Sequence, residues 1–268
     1  HVTEDLSNIS ENIIAETTYP LSLNWDNQSG RFLMQCYNRD DARTELFILN
    51  TNGNVVQKRN LSVGEGEFNL EKTIIDHLTG LGKRLPFAMG RTNDGTYFFN
   101  GFFRYTFSLT FFGFNTQTPG VLQGFRDNRG VATVTPKSNG NFALSRFGQG
   151  SMSYIPNVTL NTQASAVASS GDLQGFFIPE IENYTRVVSL ATPSINPTTV
   201  IYASANRKSQ LCIYQYDYNT GAYKGTKYLG LSGSYQIGGI CNTKEGKVAL
   251  AATVYLAGRI PKVALFVF

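Results

Sequence analysis

The chain has 268 residues, of which 16% are charged and 13% are aromatic, and its formal net charge is +4. This composition excludes an intrinsically disordered chain, which combines low hydrophobicity with high charge, and a coiled coil, which needs charge-rich heptads. The basic excess is too small to indicate a nucleic-acid-binding protein. The 19 Phe and 14 Tyr residues favour strands, because aromatic side chains fit a pleated, half-buried sheet surface.

The sequence begins with His1 rather than Met and contains no apolar run of 18 residues. A transmembrane helix would need such a run, and no signal-type apolar segment stands at the front. We therefore expect a soluble chain. We hypothesise that it is the mature part of an exported or lipid-anchored protein whose leader has been removed.

The three cysteines, Cys36, Cys212 and Cys241, are an odd number without Cys-x-x-Cys spacing. A closed disulfide framework needs an even number, and zinc sites need paired spacings with His nearby. We interpret the three as small buried side chains and expect no metal and no other cofactor.

Turn signals recur along the chain at regular distances. Four segments that end in Gly each precede an apolar run, at residues 28–30, 93–95, 138–140 and 244–246. Asn-Thr pairs follow at Asn50, Asn115, Asn161 and Asn219. The first three pairs come 20, 20 and 21 residues after the preceding Gly (30 to 50, 95 to 115 and 140 to 161). Because Gly supplies the positive φ of tight hairpin turns, each segment predicts a strand, a turn and another strand.

Each repeat is predicted to be a four-stranded antiparallel meander of about 45 to 50 residues, which is the sequence signature of a propeller blade. Five such units are centred on Gly30, Gly95, Gly140, Thr199 and Gly246. The last unit lacks its fourth strand. Residues 13–18 resemble the fourth strands of the other units, and we predict that they complete the final blade and close the ring.

Two stretches depart from the repeat. Asn69 is a predicted N-cap, and apolar residues at helical spacing follow until the stop signal at Gly80, which predicts one helical insertion near 69–80. Residues 164–190 form a long connection that has room for strands of its own, and a sixth blade is therefore an open alternative.

On these turns, together with the Asn and Tyr content and the leaderless start, the chain resembles β-propeller repeat proteins. It is most similar in character to secreted or lipid-anchored propellers of Bacteroidetes-type bacteria. The resemblance implies an all-β fold, a five-bladed propeller with six blades as the alternative, as a single domain over residues 1–268. It also implies an extracytoplasmic location, in the periplasm or at the cell surface. No functional residue carries over with it.

Catalytic motifs are mostly absent from the sequence. It contains no Gly-x-Ser-x-Gly, P-loop, Gly-x-Gly-x-x-Gly or His-Glu-x-x-His motif. The only internal histidine, His77, falls within the predicted helix, and we expect it to be structural.

Paired carboxylates, as in glycoside hydrolases of the five-bladed propeller type, remain an alternative. Asp26 on the first inner strand is the best candidate, with Glu180, Glu182 or Asp217 as its partner.

Arginine occurs in every predicted loop between a second and a third strand. The residues are Arg39, Arg43, Arg104, Arg146, Arg207 and Arg259, with Tyr105 beside one of them, and the fourth-to-first connections add Lys83, Arg84, Arg126 and Arg129. In a closed propeller these loops share one face. Guanidinium groups bind carboxylate, sulfate or phosphate with a planar fork of donors. We therefore predict a non-enzymatic binding module for a glycan, an anionic polymer or a surface protein; the competing interpretation is that these arginines serve loop structure and solubility.

Two aromatic features are interpreted as packing. Trp25, the only Trp, is expected in the core between blades, and the Phe-rich run over 98–114 is expected to be buried on both faces of neighbouring strands.

Overall fold

The structure is a computed structural model. It describes residues 11, 13–14, 18–61, 70–81, 85–103, 106–113, 120–123, 130–148, 151–162, 167–169, 173–182, 185–192, 199–230, 234–256 and 259–268. The predictions for Asn69, Arg104, Tyr105 and Asn115, and for the basic residues of the fourth-to-first connections, lie outside these residues.

The described chain contains twenty strands and one helix. The strands are β1 (Thr18–Asp26), β2 (Arg31–Asn38), β3 (Arg43–Leu49), β4 (Val55–Leu61), β5 (Ala88–Arg91), β6 (Tyr97–Phe103), β7 (Thr106–Phe112), β8 (Gly120–Gln123), β9 (Gly130–Pro136), β10 (Phe142–Gly148), β11 (Ser151–Val158), β12 (Val167–Ser169), β13 (Phe176–Glu182), β14 (Val187–Thr192), β15 (Thr199–Ala205), β16 (Leu211–Asp217), β17 (Tyr223–Leu229), β18 (Ser234–Asn242), β19 (Val248–Leu256) and β20 (Ile260–Val267). The helix, α1 (Leu70–Thr79), follows β4.

The strands form five small sheets, and the chain is a five-bladed β-propeller. Their strand orders are β1-β2-β3-β4, β12-β8-β7-β6-β5, β13-β11-β10-β9, β14-β15-β16-β17 and β18-β19-β20. Every strand pair of known register in these sheets is antiparallel. The sixth-blade alternative is wrong: the long connection does hold three strands, but β12, β13 and β14 join three different sheets.

The chain divides into two compact units. The first contains residues 1–121 and 162–166, and the second contains residues 122–161 and 167–268. Thr162 returns the chain to the first unit, where its hydroxyl donates a hydrogen bond of 2.6 Å to Oδ2 of Asp94. The repeat predicts that the strand after the Asn161-Thr162 pair is the fourth strand of the third sheet. Because the chain returns to the first unit here, that strand, β12, joins the second sheet instead.

The recurring turns have the predicted chemistry. Gly30, Gly95, Gly140 and Gly246 all have positive φ angles, between 61° and 86°. In the turn after β3, the side-chain oxygen of Asn50 accepts hydrogen bonds from the amides of residues 52 and 54. In the turn after β16 the same part is played by Asp217, which accepts hydrogen bonds from the amides of Asn219 and Thr220, so the Asn-Thr pair at 219 does not occupy the position of Asn50.

Alternating side chains of neighbouring strands build the core. In the first unit, one apolar cluster contains Leu33, Leu46, Ile48, Leu61, Met89, Phe99 and Phe112. Burial of the Phe-rich run is confirmed at Phe98, Phe99, Phe111 and Phe112, each no more than 3% exposed. In the second unit, a larger cluster is dominated by tyrosines, among them Tyr154, Tyr202, Tyr214 and Tyr216.

The predicted helix is confirmed. It buries Leu70 and Ile74 and leaves Ile75 and Leu78 partly exposed, so only part of the expected apolar face is used. Gly80, with φ of 73°, follows the helix as its predicted stop. No helix among the residues in the ranges above is long and apolar enough to cross a membrane.

The predicted closure by residues 13–18 falls mostly outside the described residues. Ile14 packs against a cluster of the first sheet that includes Met34 and Phe47, and Thr18 is the first residue of β1, opposite Asn38. Among the described strands, β20 pairs with β19 alone, so the last blade has three strands, as the repeat predicts for residues 234–268.

Candidate functional site

Two of the predicted arginines of the first unit, Arg39 and Arg43, are engaged in ion pairs. Nε of Arg39, on the loop after β2, lies 2.9 Å from Oε1 of Glu71 on α1. Arg43 is the first residue of β3 rather than a loop residue, and its guanidinium contacts Asp41 at 2.6 Å and Glu45 at 3.2 Å.

Glu45 explains the position of Arg43. Its side chain is fully buried, and its second carboxylate oxygen accepts hydrogen bonds from Nζ of Lys58 at 3.0 Å and Nδ2 of Asn38 at 3.3 Å. A buried carboxylate is tolerated only when it is paired and hydrogen-bonded. Arg43 and Lys58 supply that compensation, and this gives Arg43 a structural role that the sequence pattern did not reveal.

The arginines of the second unit occupy different settings. Arg146 lies within β10, opposite Val131 and Ser153, and not in a loop as predicted. Arg259 is exposed immediately before β20. Arg207 lies in the predicted loop, between β15 and β16, and its amide donates a hydrogen bond of 3.0 Å to the carbonyl of Glu180. Of the predicted arginines that the structure describes, Arg207 is thus the one placed beside other candidate residues.

Asp26, the candidate catalytic acid, is 5% exposed and stabilises its own turn. Oδ1 accepts a hydrogen bond from the amide of Gln28 at 3.0 Å, and Oδ2 accepts one from the hydroxyl of Ser29 at 2.5 Å. Nη1 of Arg91 lies 3.6 Å from Oδ2. These contacts are those of a turn-forming aspartate.

Glu180 and Glu182 lie on β13, the outer strand of the third sheet, rather than in an irregular connection. Oε1 of Glu180 accepts hydrogen bonds from two phenols: that of Tyr214, which is buried, and that of Tyr228 at 3.3 Å, whose side chain is half exposed. Oε1 of Glu182 lies 3.6 Å from Nε of Arg207. The carboxylate of Glu180 is therefore oriented by neighbouring side chains, and Glu182 extends the polar group toward the loop of Arg207.

Aromatic rings continue this group along the same strands. The ring of Phe176, at the start of β13, lies 5.4 Å from that of Tyr216 and 6.1 Å from that of Tyr223. Phe176 and Tyr223 are 46% and 48% exposed, whereas Tyr216 is fully buried beneath them. The hydroxyl of Tyr223 hydrogen-bonds to that of Thr226 at 2.6 Å.

We call this surface the rim strip, defined as Phe176, Glu180, Glu182, Arg207, Tyr214, Tyr216, Tyr223, Thr226 and Tyr228. The half-exposed rings of Phe176 and Tyr223 occupy one end. Tyr228, the carboxylates and Arg207 occupy the other, and β13 and β17 form the two sides. Such a surface offers apolar faces for stacking and oriented acceptors and donors for hydrogen bonds.

Two phenols of the strip, those of Tyr214 and Tyr228, stay protonated at neutral pH. Burial raises the pKa of Tyr214, and its hydrogen bond to Glu180 raises it further. Burial followed by the charge of Glu180 raises the pKa of Tyr228. Both hydroxyls therefore remain donors to the Glu180 carboxylate.

Other residues singled out in the sequence have structural roles or stand apart. Nδ1 of His77 accepts a hydrogen bond from the amide of Leu85, and its ring packs edge-on against Phe87, as expected for a structural histidine. Trp25 is 41% exposed and packs against Phe32 at 4.8 Å, so the prediction of a core position is wrong.

The cysteines differ from one another. Cys36 and Cys212 are buried as predicted, and burial raises the pKa of each to about 12, but Cys241 is exposed, so the prediction of burial is wrong there. Within the described ranges, no group of three or more His, Cys, Asp or Glu side chains is placed to hold a metal ion.

Sequence reasoning missed the tyrosines of the rim strip. Part of the strip could have been predicted, because Tyr214 and Tyr216 are two residues apart on one strand and therefore share one face. Tyr223 and Tyr228 lie on the next strand, β17. What the sequence did not reveal was the pairing of β13 with β11, which brings Phe176 and Glu180 to that face.

Comparisons with known proteins support the fold alone. No protein-family model matches the sequence, and no curated protein sequence matches it. Solved structures are similar at low identity. A puromycin-hydrolysing peptidase from Mycobacterium tuberculosis has a TM-score of 0.54 at 12% identity, with 91% of this chain matched to 38% of that one. A glucose dehydrogenase has a TM-score of 0.56 at 9% identity, covering 88% and 78%.

A protein of unknown function from Bacteroides caccae has a TM-score of 0.51 at 8% identity, with 93% of this chain and 76% of that chain covered. The chain thus spans just over a third of the peptidase and about three quarters of the other two. The described functions of these proteins differ from one another, so the likeness assigns a propeller fold and leaves the chemistry to the chain's own residues.

Proposed function

We propose that this protein is a non-enzymatic, extracytoplasmic binding module that recognises a glycan on the rim strip. The observation that carries the proposal is the pair of half-exposed rings, Phe176 and Tyr223, set on the same strands as the tyrosine-bound carboxylate of Glu180. Aromatic faces stack on the apolar faces of sugar rings, and carboxylates and phenols hydrogen-bond to the hydroxyl groups at their edges.

The placement of exposed aromatic side chains favours this interpretation. Tyr223 and Tyr228 are about half exposed, although such side chains gain free energy when they are covered. A ligand that stacks on them would recover part of that free energy. Two phenols already hold the carboxylate of Glu180 in place, so less side-chain entropy is lost when a ligand binds to it.

The predicted arginine face enters this proposal only in part. Arg207 belongs to the rim strip, whereas Arg39 and Arg43 are paired with acids of the first unit. An anionic polymer or a surface protein that needs the whole set of predicted arginines is therefore a weaker alternative than a glycan, because it would have to compete with the pairs of Arg39 and Arg43.

The hydrolase alternative has less support. Asp26 is held by its turn, and its carboxylate is 5% exposed, whereas a catalytic carboxylate must reach the sugar. Glu180 and Glu182 share one strand and remain the acids to test for hydrolysis.

Binding to an array of oligosaccharides, followed by calorimetric titration of the best ligand, tests the proposal. Tyr223→Ala removes a half-exposed ring, and we expect it to weaken binding by about 10-fold, since a stacked aromatic contact contributes about 0.5–1.5 kcal/mol beyond the area it buries and about 1.4 kcal/mol is tenfold. Trp25→Ala is the matched control, because it removes a similarly exposed aromatic ring from the first unit.

Two results would contradict the proposal. The first is an absence of binding to every oligosaccharide on the array, and the second is equal weakening by Tyr223→Ala and Trp25→Ala. Release of new reducing ends from the bound glycan, lost in Glu180→Gln, would replace it with the hydrolase alternative. Fractionation of the source cells tests the extracytoplasmic location.

A further inference from the structure

The two ends of the rim strip differ in their polar groups. At one end are the rings of Phe176 and Tyr223. At the other end the loop between β15 and β16 presents Arg207 and Lys208, which are exposed and adjacent in sequence, beside the carboxylates of Glu180 and Glu182. Two phenols donate to the Glu180 carboxylate and Glu182 faces Arg207, so a ligand that spans the strip meets uncharged rings at one end and two cations beside two acids at the other.

Arg207 is available to a ligand. Its ion pair with Glu182 is long, at 3.6 Å, and the two side chains are 54% and 64% exposed. Ion pairs between exposed side chains contribute about 0–1 kcal/mol, so a ligand oxyanion can take the place of Glu182 at little cost. A guanidinium group binds a carboxylate or sulfate through two parallel hydrogen bonds, which Glu182 does not make at this distance.

The loop that carries Arg207 is held in one conformation. Oδ1 of Asn206 accepts hydrogen bonds from the amides of Lys208 and Gln210, at 2.9 and 3.0 Å, and Ser209 adopts a left-handed φ of 60°. The amide of Arg207 is bonded to the carbonyl of Glu180 on β13. The backbone of Arg207 is therefore fixed relative to the carboxylate that forms the middle of the strip.

The length of the strip indicates how large the ligand is. Tyr223 and Tyr228 are five residues apart on β17, which corresponds to roughly 15 Å along a strand. Arg207 lies beyond Tyr228, next to the backbone of Glu180. A ligand that reaches from the ring of Tyr223 to Arg207 must therefore be an oligosaccharide rather than a single sugar ring.

We propose that the rim strip selects acidic oligosaccharides, and that Arg207 binds the carboxylate or sulfate group of the ligand. The inference rests on the proposed glycan-binding function and adds the charge and the orientation of the ligand. The aromatic end supplies binding that is indifferent to charge, and Arg207 supplies the preference for an acid.

The experiment compares ligands that differ only in charge. Trigalacturonic acid and its fully methyl-esterified form are titrated calorimetrically into the wild-type protein, and the oligosaccharide array includes neutral, uronate and sulfated trisaccharides. We expect acidic ligands to bind about 10-fold more tightly than their neutral counterparts in about 50 mM salt, because charge-assisted bidentate contacts are roughly twice as strong as neutral ones. Raising the salt to about 0.5 M should remove most of this preference, because exposed charges are then screened within a few ångströms.

Variants separate the inference from the function on which it rests. Arg207→Gln should abolish the preference for acids, whereas Tyr223→Ala should weaken both classes equally and keep that preference. Arg39→Gln, which removes a similarly exposed arginine from the first unit, should change neither. The uronate and sulfated arms of the array decide between the two kinds of oxyanion.

Each outcome has one meaning. Equal binding of neutral and acidic ligands, or a preference for acids that survives Arg207→Gln, overturns the inference and leaves the glycan-binding proposal intact. An absence of binding to any oligosaccharide overturns both.

Discussion

Two stacked tyrosines in the core of the second unit should respond in opposite ways to the same substitution. The rings of Tyr154 and Tyr202 are 4.7 Å apart and within 4° of parallel, and both side chains are fully buried. The hydroxyl of Tyr202 donates to the carbonyls of Leu144 and Ile155, at 2.7 and 3.0 Å. The hydroxyl of Tyr154 has no hydrogen-bond partner among the described residues.

The magnitudes follow from these contacts. Tyr202→Phe keeps the ring and its stacking but leaves two buried carbonyls without this donor, so it should lower the free energy of unfolding by about 1–3 kcal/mol. Tyr154→Phe removes a hydroxyl that is buried without compensation, so it should leave stability unchanged or raise it by up to about 1 kcal/mol. The expected difference between the variants is therefore at least about 1 kcal/mol, with the rings, volumes and burial matched.

Urea denaturation followed by circular dichroism measures both changes. The midpoint should fall in Tyr202→Phe and stay level or rise in Tyr154→Phe, with the slope unchanged in each. Equal destabilisation by the two variants would show that ring contacts rather than hydrogen bonds decide their contribution, and the reasoning would be refuted. Tyr202→Ala, which removes both ring and hydroxyl, gives the upper limit for the site and should cost about 3–5 kcal/mol.

Three further predictions concern other parts of the chain. Cys241 alone among the three cysteines should react with a thiol reagent in the native protein, with the other two reacting only after denaturation; early labelling of all three would contradict their burial. Burial acts to raise the pKa of Asp94, but hydrogen bonds led by that from Thr162 outweigh it and hold the pKa below the ordinary 3.8. Its contribution to stability should be complete above pH 3.8 and lost as the pH falls below it, and Thr162→Val should reduce this acid sensitivity in denaturation curves measured between about pH 2 and 5. Gly230→Ala should destabilise more than Gly246→Ala in urea, because both glycines have positive φ but a Cβ at Gly230 would lie 2.3 Å from the ring of Tyr235; equal costs would show that only the backbone angle matters.

The blades were predictable because their signals are local. A hairpin turn needs a residue with positive φ, so Gly30, Gly95, Gly140 and Gly246 mark the turns without any knowledge of distant contacts. The helix was predictable for the same reason, since the spacing of its apolar residues and Gly80 are both read within one stretch of chain.

The rim strip was not predictable because its members meet through long-range pairing. Glu180 and Tyr214 are 34 residues apart, and they meet only because β13 pairs with β11 and not with a strand that is adjacent in sequence. Nor did the sequence show which arginines form ion pairs with buried acids. Arg43 and Arg207 look alike in the sequence, but Arg43 neutralises a fully buried carboxylate and Arg207 has an exposed partner.

The buried carboxylate of Glu45 also affects how the first sheet assembles. Glu45 lies between Arg43, Lys58 and Asn38, whereas its neighbour Leu46 points into the opposite, apolar cluster. If β3 paired one residue out of alignment, the carboxylate would turn toward Leu33 and Leu61 on the neighbouring strands and would lose Lys58, whereas Arg43 would move with it because both lie on β3. Because removing one partner of a buried carboxylate is strongly unfavourable, Glu45 favours the native alignment of β3 with the strands on either side of it.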